Sequence, residues 1–231
     1  MATSLPPKIG IVLQGTPHSK ESLRELCDIY SEFADVCVSS YSRFKIDGYF
    51  FINNDSIERS HRLKHAKHST SNVNLQIITT QMGIEYFIKH NYDWVLKLRA
   101  DFKVDNLKNH LSDWIEHLTN MKQVPGSPFE HKIVCFGRSL HKEENPWYIA
   151  DYFSFGSVKD MRNYWNIPLV DPNLFDYCPI RVEEYISTSF IGRTPNLPVT
   201  SYFYLVPHLG QDFFSLKWDK NLVNTDCQSN K

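Results

Sequence analysis

Tyr92-Asp93-Trp94-Val95-Leu96-Lys97-Leu98-Arg99-Ala100-Asp101-Phe102 is the stretch that decides the fold. From Trp94 to Leu98 apolar and polar residues alternate over a β-favouring run, which predicts a half-buried strand. Lys97, Arg99 and Asp101 then emerge on one face at its carboxyl end. In an open α/β sheet, ligands settle in the crevice outside the carboxyl ends of the strands. Two cations and a carboxylate there suit a phosphate-bearing substrate and its divalent metal. A strand whose polar face is simply wet has the same spacing, so spacing alone leaves both readings open.

Upstream, Lys8 to Leu13 is a short, nearly continuous apolar run ended by Gln14-Gly15-Thr16-Pro17, the pattern of a buried parallel strand opening into a turn. Gly15 lets the backbone approach a ligand closely. Ser19 and Ser22, with Glu21 between them, mark a helix start, and Leu23, Leu26, Ile29, Tyr30 and Phe33 form its apolar stripe. Val36 to Ser40 is a second strand and Tyr49 to Ile52 a third. This β-α-β opening predicts a doubly wound, mostly parallel sheet flanked by helices. His61, His65 and His68 lie in a basic, polar stretch with no carboxylate or Cys at ligand spacing, which favours a solvated segment over a metal site. The helix after them carries Val73, Ile77, Ile84 and Ile88 as its stripe, at a cost of about 1 kcal/mol for Gly83. Asn74 and Gln76 at its amino end are placed either to bond a nucleotide or to cap the helix.

Downstream, Asn106 to Met121 is helical, and Lys132 to Phe136 and Trp147 to Phe155 are strands. Asp151 interrupts an aromatic and aliphatic run. Burying a carboxylate there is costly unless a metal, a sugar hydroxyl or an Arg pairs with it, and an edge-strand Asp facing water is the alternative. Lys159 to Trp165 is a helix, and Arg181 to Ile186 begins another with Glu183 and Glu184 in its first turn. The helix dipole accounts for one of these acids but does not require both. Tyr202 to Val206 is a late strand followed by His208, and a polar tail closes the chain.

The 231 residues, 42% apolar, suit one α/β domain, and with 25 basic against 26 acidic residues the formal charge of −1 offers no general attraction for nucleic acid. Five scattered cysteines without a C-x-x-C pair suggest neither a disulfide framework nor a structural zinc site. With no signal-peptide core in the first residues and no run near the roughly 18 apolar residues that span a bilayer, the expected location is the cytoplasm, or its membrane surface.

Five blocks occur in a distinctive order: Q-G-T at 14–16, N-V-N-L-Q-I-I-T-T-Q-M-G-I at 72–84, V-L-K-L-R-A-D at 95–101, I-A-D-Y-F-S-F-G at 149–156 and V-E-E-Y at 182–185. Their order resembles that of the WavE-type lipopolysaccharide-synthesis glycosyltransferases, over roughly residues 8 to 208. The resemblance implies a single GT-A-like domain over residues 1–231. Its nucleotide-binding half spans about 8–105 and its acceptor and catalytic half about 130–210. In that class a D-x-D motif holds the divalent metal, Mn²⁺ or Mg²⁺, that bridges the donor diphosphate. Here Asp101 is the remaining acid and Arg99 stands at the preceding acidic position, where it is itself able to neutralise a phosphate. His208 resembles the late histidine that completes such a metal site. Leu75 replaces the Arg of an N-x-N-R-Q pattern.

The resemblance thus implies inverting, metal-assisted transfer from a nucleotide sugar, a UDP-sugar being favoured, to a glycan or glycolipid. Gln14, Gly15, Thr16, Asn74, Gln76, Lys97 and Arg99 are the expected nucleotide contacts, and Asp101 and His208 the metal ligands. Glu183 or Glu184 is the expected base, with Asp151 on sugar hydroxyls, although these roles are exchangeable. A catalytically silent binding module that keeps the sheet is the competing reading. Nucleotidyl transfer is disfavoured, because Q-G-T-P-H-S-K is too poor in Gly for a phosphate loop.

Overall fold

The computed structural model describes residues 6–41, 45–53, 72–122, 124–137, 149–171, 182–191 and 202–207. The apolar run near the start forms β1 (Ile9–Gln14), one residue later than expected, so Gln14 closes the strand instead of opening the turn. Ser19 then caps α1 (Lys20–Ser31) through a reciprocal box with Ser22, which satisfies two amides at the helix start. Next come β2 (Asp35–Ser40), β3 (Phe50–Asn53), α2 (Val73–Lys89), β4 (Trp94–Arg99), α3 (Leu107–Asn120), β5 (Ile133–Gly137), β6 (Ile149–Ser157), α4 (Val158–Trp165), α5 (Val182–Ile191) and β7 (Phe203–Pro207).

The seven strands form one sheet in the order β3-β2-β1-β4-β6-β5-β7. Every neighbouring pair is parallel except the two made by β6, which runs antiparallel to both β4 and β5. This is the mostly parallel α/β sheet expected from the β-α-β opening. On one face α1 and α3 bury Leu23, Leu26, Tyr30, Leu111 and Trp114. The other face is covered by α2, α4 and α5 through Ile77, Phe87, Met161, Trp165 and Ile186.

Because helices cover both faces, β4 is not the half-buried strand its alternation suggested. Trp94 through Leu98 are all buried, including Lys97. A parallel strand covered on both sides reads as a nearly unbroken apolar run, and Lys97 is the one interruption here. No helix among the described residues is long and apolar enough to cross a membrane. Cys27, Cys37 and Cys135 are buried thiols outside any disulfide. The three clustered histidines, His208 and the polar tail lie outside the described residues.

Gly83 carries more than a helix penalty. A Cβ built there would lie 2.4 Å from Val12 Cγ1, and one built on Gly10 would lie 2.4 Å from the Phe87 ring. The two glycines let α2 seat directly on β1, which fixes the helix's amino end beside the carboxyl ends of the strands. Gly83→Ala gains about 1 kcal/mol in helix propensity but forces a methyl into a stiff β-branched neighbour, which typically costs 1–3 kcal/mol. Urea unfolding of this variant is expected to show net destabilisation, and a stabilised variant would contradict this packing.

Candidate active site

The site grows from the end of β4. A turn in which Phe102 N donates to Arg99 O (3.0 Å) folds the chain back, while Ala100 N donates to Gln14 O (2.8 Å) and Val104 N to the buried Tyr30 hydroxyl (2.9 Å). These bonds hold the Asp101 carboxylate against the guanidinium two residues earlier. Arg99 Nε donates to Asp101 Oδ1 at 2.9 Å, and Nη2 closes the second arm of the fork on Oδ2. A bidentate grip of this kind is about twice as strong as a neutral hydrogen bond and fixes both planes. The guanidinium also lies 5.1 Å from the centre of the Phe102 ring, which stacks on Tyr152 at 4.8 Å and 8°.

Asp151 enters from β6. Since β6 runs against β4, with Leu98 opposite Phe153, the start of β6 lies beside the end of β4. Asp151 Oδ1 stands 3.9 Å from Arg99 Nη1, with its side chain only 3% exposed against 34% for Arg99 and 19% for Asp101. That oxygen is buried and has no hydrogen-bond partner. The contrast with Asp160, the other buried aspartate among the described residues, is informative. Asp160 accepts from Glu130 N (2.7 Å), His131 N (2.9 Å) and Ser157 Oγ (2.7 Å), so its charge is spent on tying α4 to the segment before β5. Asp151 keeps acceptor capacity in a place where an unmet charge is expensive.

Lys97 lies beneath this pair and does not reach the cleft. Its ammonium has no exposed surface, donates to the Asp151 carbonyl and lies 5.1 Å from the centre of the Trp165 ring. Burial pulls its pKa down from 10.5 to about 8, partly offset by Asp151 and reinforced by Arg99. The expectation of a phosphate contact at Lys97 therefore meets a side chain that acts through Asp151.

At the neighbouring strand end, Gln14 Nε2 donates to Thr79 Oγ1 (3.0 Å), and Ser39 Oγ to the Thr79 carbonyl (2.7 Å). Gln14 Oε1, Gln76 Oε1 and Thr80 Oγ1 are buried without a hydrogen-bond partner. Gly15 has φ +94°, with no protein atom within 4 Å of where a Cβ would stand, and Thr16 is exposed. Asn74 commits its amide to the backbone of Val170, donating to its carbonyl (2.9 Å) and accepting from its N–H (2.7 Å). Glu183 and Glu184 occupy the first turn of α5, whose Val182, Ile186 and Phe190 pack into the core on one sheet face; their side chains fall outside what is described. Thr79 and Thr80 were not singled out in the sequence. Two adjacent threonines in an otherwise apolar helix stripe were the available sign.

The described residues fit a divalent cation poorly. Both Asp101 oxygens are engaged by Arg99, which itself fills the position of the second acid. Among the described residues no three His, Cys, Asp or Glu side chains are grouped to hold a metal. A 270 Å³ recess between α2 and α4, lined by Gln81, Glu85, Arg162 and Trp165, lies away from these carboxylates.

The profile of a family described as WavE lipopolysaccharide synthesis matches residues 60–201, more than half of the chain, from before Asn74 to beyond Glu184. No curated protein matches. Among solved structures, the chain is similar to a glycosyltransferase involved in the glycosylation of the major capsid of PBCV-1, with TM-score 0.43, 16% identity, and coverage of 87% of this chain and 82% of that one. It is also similar to mouse xyloside xylosyltransferase 1 in its apo form, with TM-score 0.43, 8% identity, and coverage of 87% and 84%.

Lys97 sets a pH test. Between about 8 and 10.5 the unfolded chain holds the lysine proton that the folded chain has released, so this group makes stability rise with pH across that window. Lys97→Met removes the effect. The stability difference, wild type minus variant, is expected to grow between pH 8 and 10 in paired urea titrations; a flat difference would contradict the burial of a charged Lys97.

Proposed function

We propose that this chain, which belongs to the WavE lipopolysaccharide synthesis family, is a glycosyltransferase that moves a sugar from a nucleotide-sugar donor, favoured as a UDP-sugar, to a glycan or glycolipid acceptor with inversion. The observation that carries the reading is the meeting of Arg99, Asp101 and the incompletely bonded Asp151 outside the carboxyl end of the central strand. Ligands of open α/β sheets bind there, and a guanidinium among carboxylates answers both parts of a sugar nucleotide. The cation meets the diphosphate and the acids meet hydroxyls.

In this proposal the acceptor oxygen forms a bond to the anomeric carbon while the bond from that carbon to the diphosphate breaks. The acceptor proton passes to Glu183 or Glu184, and negative charge grows on the departing nucleoside diphosphate, where Arg99 offsets it. Asp151 orients sugar hydroxyls through its unspent oxygen. Gln14, Gly15, Thr16 and Gln76 line the nucleotide side, while Asn74 and Lys97 act as positioning residues through Val170 and Asp151. No step is assigned to a divalent metal or to His208. The chain is read as a single domain acting in the cytoplasm or at its membrane surface.

Release of nucleoside diphosphate from a panel of UDP-, GDP- and CDP-sugars, with and without glycan acceptors, tests the reading. Turnover is expected with at least one donor. Replacing the true base, by Glu183→Gln or Glu184→Gln, is expected to lower kcat on the order of 10²–10⁴-fold. Asp151→Asn is expected to lower kcat/KM, and it is also expected to lower stability, because Asp151 helps to offset the buried charge of Lys97. Nucleotide binding without turnover would favour a silent binding module, and full turnover in both glutamine variants would remove those acids from the chemistry.

A further inference from the structure

The sharpest disagreement in the site is between the metal that the D-x-D comparison implies and the side chain that stands there. Arg99 occupies the first acidic position, and its fork is closed on both oxygens of the second, Asp101. Its third nitrogen faces Asp151 Oδ1 at 3.9 Å, beyond hydrogen-bond length, and a third of the side chain remains exposed. A divalent ion approaching Asp101 must displace a guanidinium from two charge-assisted hydrogen bonds and then sit beside it as a like charge.

We propose that the Arg99 guanidinium is itself the cation that receives the donor diphosphate, exchanging the Asp101 carboxylate for phosphate oxygens, and that donor binding requires no divalent metal. The inference rests on the glycosyltransferase reading above and deepens it. Phosphate and carboxylate present the same pair of acceptor oxygens to the planar fork, so one arrangement serves both. Before donor arrives, Asp101 keeps the fork aimed and its charge compensated. The Phe102 ring under the guanidinium, stacked on Tyr152, limits its swing. As the leaving group departs, the charge that must be stabilised is already facing a fixed, permanently protonated group, so the site does not depend on metal occupancy.

Calorimetric titration of the full chain with UDP, GDP and inorganic pyrophosphate, in EDTA and again in Mn²⁺, tests the proposal. At least one of the three probes is expected to bind with equal affinity in both buffers. Arg99→Ala is expected to weaken that probe on the order of tenfold to a hundredfold, the usual effect of losing a charged hydrogen-bonding partner. Arg99→Lys keeps the charge but loses the fork and is expected to fall between the two, which separates lost chemistry from lost folding. Arg99→Asp restores an acid two residues before Asp101 and is expected to bind only when Mn²⁺ is present. Wild-type binding that vanishes in EDTA and returns with Mn²⁺ overturns the metal-free proposal while leaving a glycosyltransferase in place. Undiminished binding by Arg99→Ala, or wild-type affinity of Arg99→Asp in EDTA, also overturns it. Failure of all three probes in both buffers overturns the donor reading as well.

Discussion

The antiparallel pairing of β6 with β4 is the constraint from which the site follows. Had β6 run parallel to β4, Asp151 would lie at the opposite end of the strands from Arg99. Instead the register that sets Leu98 opposite Phe153 brings the first residues of β6 to the last residues of β4. Lys97 reinforces the junction by donating to the Asp151 carbonyl from within the core. A buried ammonium is costly unless bonded, so the bond that satisfies Lys97 also fixes the backbone that carries the carboxylate.

Two buried aspartates on the same stretch of chain show how a fold separates a structural acid from an available one. Asp160 is surrounded by two backbone amides and a hydroxyl, and it joins the start of α4 to residues 130 and 131. Asp151 has one oxygen without a hydrogen bond and a guanidinium just out of bonding range. Native structures seldom leave such a group unmet, and in the proposed function a sugar hydroxyl is the partner that completes it. Gln14 Oε1 on β1, and Gln76 Oε1 and Thr80 Oγ1 on α2, are likewise buried without a hydrogen-bond partner.

Most of the secondary structure was legible because its signals are local. Ser19 and Ser22 marked a capped helix, apolar runs marked the strands, and the β-α-β order marked a parallel sheet. What escaped reading depends on residues distant in sequence. Trp94 to Leu98 looked half-buried because alternation cannot report a second layer of helices, and Lys97 was assigned to a cleft when its partner lay 54 residues away. Asn74, open between a nucleotide and a cap, bonds the backbone of Val170 across 96 residues. Gly83 read as a helix penalty because Val12, the side chain that excludes a methyl there, belongs to β1. Arg99 and Asp101 read as neighbours on one face at the strand end, but the fork that closes one on the other was not legible, and the pattern assigned Asp101 to a metal instead.

The glycosyltransferase account places the donor diphosphate at Arg99, outside the ends of β1 and β4. A crystal structure of the chain with bound uridine diphosphate tests that most directly. Phosphate oxygens are expected about 2.7–3.2 Å from the Arg99 guanidinium nitrogens, with its bonds to Asp101 opened. Nucleotide seated in the recess between α2 and α4, with the Arg99–Asp101 pair intact, would contradict it.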